Sequence, residues 1–156
     1  MIVLGIDPGI ERLGWAILKK NENHIEKIDS GVKKTSTKIS KSKRLFEIFI
    51  FLDNIIKKSH PHTISIEKLF FAKNVKTALV IGEVRGIILS VAEMHSLKIK
   101  EYAPLEVKTA VCGYGKANKE AVASMVKILL KMPKNKLLDD ETDAIAIALT
   151  ALVSRE

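Results

Sequence analysis

The chain has 156 residues, 47% of them hydrophobic and 28% charged, with a formal net charge of +8. That length predicts one domain over residues 1–156, large enough to bury its own core, and the composition excludes an intrinsically disordered chain. The single cysteine, Cys112, excludes an intrachain disulfide and a multi-cysteine zinc site and reads as a small hydrophobe, while no apolar run reaches the roughly 18–20 residues of a membrane span.

The opening segment Met1-Ile2-Val3-Leu4-Gly5 carries no basic leader, so a cytoplasmic protein without a membrane partner is expected. Ile2 to Ile6 is a short apolar run with branched residues and predicts a central strand. Asp7-Pro8-Gly9 stops it; proline presets the turn and Gly9 suits positive φ, so a type II turn is expected. Leu13 to Leu18 is a second strand, Asn21-Glu22-Asn23 a hairpin turn, and His24 to Thr35 a third strand. Short turns between the three predict an antiparallel meander.

Ser36 to Ser42 is a polar, basic loop, and a helix follows to about Lys58, with Leu45, Ile48, Phe49, Leu52, Ile55 and Ile56 on one stripe. His60-Pro61 ends it. Thr63 to Glu67 alternates, so Ile64 and Ile66 share one face of a strand and Glu67 lies with Thr63 and Ser65 on the other. Asn74 to His95 predicts a long helix that is apolar on more than one face, with Ala78, Gly82 and Gly86 as a flat ridge; a second copy of the chain is the expected occupant. Lys98 to Tyr102 is a fifth strand, Pro104 opens a short helix to about Val111, Asn118 caps a helix to Lys131, and a last helix runs from about Asp139 to Val153. The order predicts an α/β domain with a mixed five-stranded sheet, a three-strand antiparallel meander plus parallel strands, and helices on both faces.

Two acids end central strands. Asp7 stands at the carboxyl end of the first and Glu67 at the end of the fourth, the edge where open α/β sheets bind ligands. Each also has a plain reading, as a turn aspartate and as a glutamate paired with a lysine. Asp140 and Asp143 are three apart at the start of the last helix and project to one side. Acids there also complement the helix dipole. Yet Asp143 leads into Ala144-Ile145-Ala146-Ile147-Ala148, where a half-buried carboxylate is costly unless paired or metal-bound. If that helix crosses strands one and four, the four acids converge and repel, and a divalent cation relieves the repulsion. Carboxylates without Cys or His suit Mg²⁺ or Mn²⁺, and two such ions about 3.5–4 Å apart suit phosphodiester cleavage. A basic protein around an acidic metal cluster has the charge pattern of a nuclease, with lysines for the backbone; a generally lysine-rich proteome gives the same net charge. Phe70-Phe71 after Glu67, followed by Lys73, fits either an aromatic wedge beside nucleic acid or two core plugs. Gly113-Tyr114-Gly115-Lys116 lacks P-loop spacing, the histidines lack ligand spacing beyond the His60/His62 pair, and no Gly-x-Ser-x-Gly elbow is present.

The carriers Gly5-Ile6-Asp7-Pro8-Gly9 with Gly14, Ile66-Glu67 with Phe70, Ala72, Lys73 and Asn74, Gly82 with Arg85-Gly86, Tyr102-Ala103 with Val107-Lys108, Gly113 and Gly115 with Lys119, and Asp140-x-x-Asp143-Ala144 occur in one order along nearly the whole chain. In that order and spacing the sequence resembles the RuvC family of Holliday junction resolvases, which have a ribonuclease-H-like fold. The resemblance implies that Asp7, Glu67, Asp140 and Asp143 are catalytic metal ligands, holding two Mg²⁺ ions with Mn²⁺ as a substitute. It implies that Phe70 stacks at the junction centre and that Lys108 and Lys119 handle DNA near the scissile phosphate, with Lys73 and Lys116 as further DNA contacts. It implies a homodimer that makes paired nicks in a four-way junction, leaving 5′-phosphate and 3′-hydroxyl, in homologous recombination and DNA repair, with a RuvA/RuvB-type branch-migration complex as a further partner. Departures fall at Leu13, Ala16, Lys68 and Asn118 and touch none of those acids. The stretch Asp7 to Gly14 also resembles YqgF-type resolvase-like proteins, and a junction-binding protein without catalysis is the other alternative.

Overall fold

A computed structural model describes residues 1–22, 24–68, 75–133 and 137–154. The chain runs β1 (Ile2–Asp7), β2 (Arg12–Lys20), β3 (Ile25–Lys34), α1 (Lys41–Ser59), β4 (Thr63–Glu67), α2 (Val75–Met94), β5 (Lys98–Tyr102), α3 (Pro104–Cys112), α4 (Lys119–Leu129) and α5 (Asp139–Val153). The sheet order is β3-β2-β1-β4-β5. β1, β2 and β3 pair antiparallel as the expected meander, and β4 joins β1, and β5 joins β4, in parallel. β1 is therefore central, flanked by the meander on one side and the parallel pair on the other.

Side-chain alternation divides the core into two layers. Leu4 and Ile6 of β1, Leu13 and Ile17 of β2, and Ile64 and Ile66 of β4 pack with Ile48, Leu52, Val84 and Ile88 of α1 and α2. Val3, Ala16 and Leu18 face the other way, onto α3, α4 and α5. The helices thus cover both faces of the sheet. The α1 stripe lies where its spacing predicts, with Ile48, Leu52, Ile55 and Ile56 buried. Its ends are built locally: the Ser40 side chain accepts from the Lys43 N–H, and His60 turns into the left-handed region at φ 47°. Asn118 caps α4 by accepting from the Ala121 N–H.

The turn after β1 departs from expectation. Among the described residues Gly113 is the only glycine with positive φ, so Gly9 does not make a type II turn. Gly9 is needed for space: a Cβ there would lie 2.3 Å from the Arg12 carbonyl oxygen. The same demand recurs under α5, where a Cβ on Gly5 would meet the Ala144 carbonyl oxygen at 2.3 Å and one on Gly14 the Asp140 carbonyl oxygen at 2.0 Å. These two strand glycines let α5 lie directly on the sheet backbone. Ser65 of β4 reinforces the seat, its buried hydroxyl donating to the Ile147 carbonyl over 3.0 Å.

Candidate active site

The alternation that builds the core also aims the acids. Val3, Gly5 and Asp7 share the α5 face of β1, and Thr63, Ser65 and Glu67 share the same face of β4. Ile6 pairs with Ile66, so Asp7 and Glu67 are the next residues on adjacent parallel strands. The first turns of α5 cross above them. Asp7, Glu67 and Asp143 line one pocket of about 320 Å³, with Pro104, Lys108 and Lys119 on its other walls. A larger open groove of about 730 Å³, at the far ends of β2 and α5, mixes apolar side chains such as Ile25, Leu129 and Val153 with charges of both signs, Glu22 and Glu26 against Lys20 and Lys27.

The electrostatics bind the acids into one unit. The Asp7 carboxyl is pushed up from 3.8 to about 7, first by burial, then by the charges of Asp143, Glu67 and Asp140, against a smaller opposing pull from Lys119. Burial raises Glu67 too, with Asp143 adding to it and Lys119, Lys108 and Arg85 opposing. Asp143 is raised by burial and held back by Lys119, whose ammonium stands 3.5 Å from its Oδ2. The same carboxylate raises the Lys119 ammonium.

Asp140 is placed differently. Its backbone packs over Gly14, the register partner of Asp7 on β2, and its carboxylate meets the Arg12 guanidinium. The contact brings opposite charges together without directed hydrogen-bond geometry, and Oδ2 of Asp140 is buried with no hydrogen-bond partner. Asp140 therefore acts on Asp7 through its charge from beside the pocket, whereas Asp143 is in it. Among the described residues no three or more His, Cys, Asp or Glu side chains stand together closely enough to hold a metal ion as they are placed. The donors are nonetheless the hard carboxylate oxygens a divalent cation takes, and Asp7, raised first by burial and then by three neighbouring acids against one lysine, is a carboxyl whose ionised form a bound cation would favour.

Of the expected DNA contacts, Lys108 and Lys119 are at the pocket, and Lys116 is exposed in the loop between α3 and α4. Phe70 and Lys73 lie outside the described residues. Two arginines take roles that the motifs do not assign, although Arg85 stands within one of them. Arg12 engages Asp140, and nothing in its polar surroundings singles it out. Arg85 donates to the Glu67 carbonyl oxygen and to the Glu101 carboxylate. A lone arginine between Val84 and Gly86-Ile87 in an apolar helix is a signal, since a charge there demands a partner.

The profile of the family described as "Crossover junction endodeoxyribonuclease RuvC" matches residues 3–151. The chain belongs to the RuvC family. It is 46% identical over 149 residues to the crossover junction endodeoxyribonuclease RuvC of Alkaliphilus metalliredigens, covering 96% of this chain and 91% of that one. The corresponding protein of Halothermothrix orenii is 45% identical over 149 residues, covering 96% and 90%. The RuvC of Thermus thermophilus in complex with its Holliday junction substrate superposes with a TM-score of 0.92 at 31% identity, covering 98% of this chain and 93% of that one. The fold is thus that of RuvC, the ribonuclease-H-like architecture expected from the sequence. No helix among the described residues is long and apolar enough to cross a membrane.

Proposed function

We propose that this protein is a metal-dependent, structure-selective endonuclease that resolves four-way DNA junctions by paired nicks, in homologous recombination and DNA repair. The observation that carries the reading is the pocket at the carboxyl ends of β1 and β4: three acids from three elements, with Lys108 and Lys119 beside them, in a chain of net charge +8. Membership of the RuvC family implies use of a divalent metal. Asp7, Glu67 and Asp143 would hold it, with Asp140 joining once freed from Arg12; two Mg²⁺ ions per site are the proposed complement, with Mn²⁺ as a substitute. A divalent cation there would supply Lewis acidity and offset charge developing on the phosphate.

The chain's own groups do the rest. The carboxylates localise negative charge where the scissile phosphate must approach, so a bare site repels DNA and a neutralised one accepts it. Lys119, held on Asp143, is proposed to turn to a phosphate oxygen, and Lys108 flanks the same opening. Lys73 and Lys116 are proposed to hold the backbone further out and Phe70 to stack on a base at the junction centre. Residues 1–156 act as one nuclease domain. Two copies meeting through the exposed face of α2 place one pocket on each of two opposed strands, matching a two-fold dimer to a two-fold junction. A branch-migration complex of the RuvA/RuvB type is the proposed cellular partner, and the cytoplasm the proposed compartment.

The test is a labelled synthetic four-way junction and a linear duplex of the same arms, incubated with the protein and Mg²⁺ or Mn²⁺ and run on a denaturing gel. Symmetric nicks in the junction with the duplex intact are expected. A junction that is bound but uncut across varied sequences and both ions would leave a binding protein without catalysis.

A further inference from the structure

Arg85 reaches the site from the opposite face of the sheet. It sits on α2, the helix that packs Val84 and Ile88 into the layer away from the pocket. Its guanidinium crosses to the carboxyl ends of β4 and β5, where one terminal nitrogen donates to the Glu67 carbonyl oxygen and the other pairs with Glu101 of β5. The Arg85 side chain is 12% exposed, so its charge is largely withdrawn from water and depends on these two partners. The strand ends are joined independently by the Lys68 N–H, which donates to the Tyr102 carbonyl over 2.7 Å. Arg85 is thus not required merely to keep β4 beside β5. Its added effect is to hold the carbonyl of the residue whose carboxyl lines the pocket.

We propose that Arg85, anchored by Glu101, is a positioning residue for Glu67. By fixing the Glu67 backbone it fixes where the carboxylate enters the pocket. The inference rests on the nuclease reading of the site and adds to it a supporting pair behind the acids. A fork of this kind needs two donors in a plane, which a lysine does not supply, so lysine should replace it only in part. Partners that hold a ligating carboxylate typically cost about 10–100-fold in metal affinity or activity when removed.

The experiment compares wild type, Arg85→Met, Arg85→Lys, Glu101→Met and the double variant Arg85→Met/Glu101→Met. Four quantities are measured: thermal stability, junction affinity without metal, direct Mn²⁺ affinity by calorimetry, and single-turnover cutting of a saturating junction. Arg85→Met leaves Glu101 without its partner and should lose stability as well as about 10–100-fold in cutting rate and Mn²⁺ affinity. The double variant removes both charges, so stability should return while cutting and Mn²⁺ affinity stay low. Arg85→Lys should recover part of both, and metal-free junction affinity should hold throughout. A double variant restored in stability, rate and Mn²⁺ affinity together would reduce Arg85 to a staple. Loss of metal-free junction affinity with an unchanged saturating rate would make it a DNA contact. Either result overturns the proposal. A wild type that cuts nothing would break the nuclease reading instead, and the Mn²⁺ titrations would still decide the role of Arg85.

Discussion

α5 and α2 are both apolar helices with small residues, and the fold uses them in opposite ways. α5 is buried from Ala144 to Leu152, lying on a sheet whose glycines make room for it. α2 buries Val84, Ile88, Val91 and Ala92, leaves Leu79 65% exposed, and has nothing within 4 Å of where a Cβ on Gly82 or Gly86 would sit. Both patterns read as apolar along the chain; what separates them is that the sheet of this chain covers α5, while the Gly82–Gly86 ridge of α2 is uncovered among the described residues. In α5 the fit fixes where Asp143 stands relative to Asp7 and Glu67. In α2 the outer ridge meets no described residue of this chain, while Arg85 on its inner side reaches the backbone of Glu67.

Substitutions sharpen that contrast. Gly5→Val or Gly14→Ala drives a side chain into α5 backbone and should cost about 3 kcal/mol or more, seen as a loss of folded protein in chemical denaturation. Gly82→Ala and Gly86→Ala, by contrast, should each stabilise the monomer by about 0.5–1 kcal/mol while weakening self-association in sedimentation. A pair of variants that changes neither property would separate the α2 ridge from any interface. Arg12→Gln releases the Asp140 carboxylate at the mouth of α5 and should lower the Mg²⁺ concentration for half-maximal cutting about two- to fivefold, in keeping with a half-exposed ion pair.

The smallest effect lies where α2 ends. Asp53 of α1 accepts from Lys57 and pairs with His95, and those hydrogen bonds hold its carboxyl below the ordinary 3.8. A lowered folded value contributes stability that is present above about pH 4 and lost as pH falls through it. Asp53→Asn should therefore flatten the acid side of the stability profile followed by thermal melts. Asp7 has the opposite sign. Its carboxyl, raised to about 7, makes the folded state bind the proton more tightly, so without metal the wild type loses stability as pH rises from about 4 to 7. Asp7→Asn should remove that loss, and added Mg²⁺ should restore the wild type at pH 8 but leave the variant unmoved.

Much of this arrangement is legible in the residues. The alternation in Thr63 to Glu67 aims Glu67 away from Ile64 and Ile66, and the apolar run after Asp143 marks a helix that must be covered. The RuvC motifs then name the acids. Other features depend on geometry that spacing does not carry. The three-residue interval puts Asp140 and Asp143 on one side of α5, but only the crossing of helix over sheet sets one above Gly14 and the other above the strand ends. Pro8-Gly9 has a type II turn signature, yet Gly9 answers to the Arg12 carbonyl rather than to positive φ. Arg12 and Arg85 act through long-range contacts; the apolar setting of Arg85 announces the need for a partner but not which one, and Arg12 has no such signal.

The central claim is that acids far apart in the chain act as a single site. It is tested most directly by strand-specific nicking rates of a four-way junction for Asp7→Asn, Asp143→Asn and the double variant. Groups that work as a unit give losses that do not multiply. Each single variant should lower cutting by about 100-fold or more with junction binding retained, and the double should be no slower than the worse single. Losses that multiply in the double variant, or a single variant that still cuts at the wild-type rate, would contradict it.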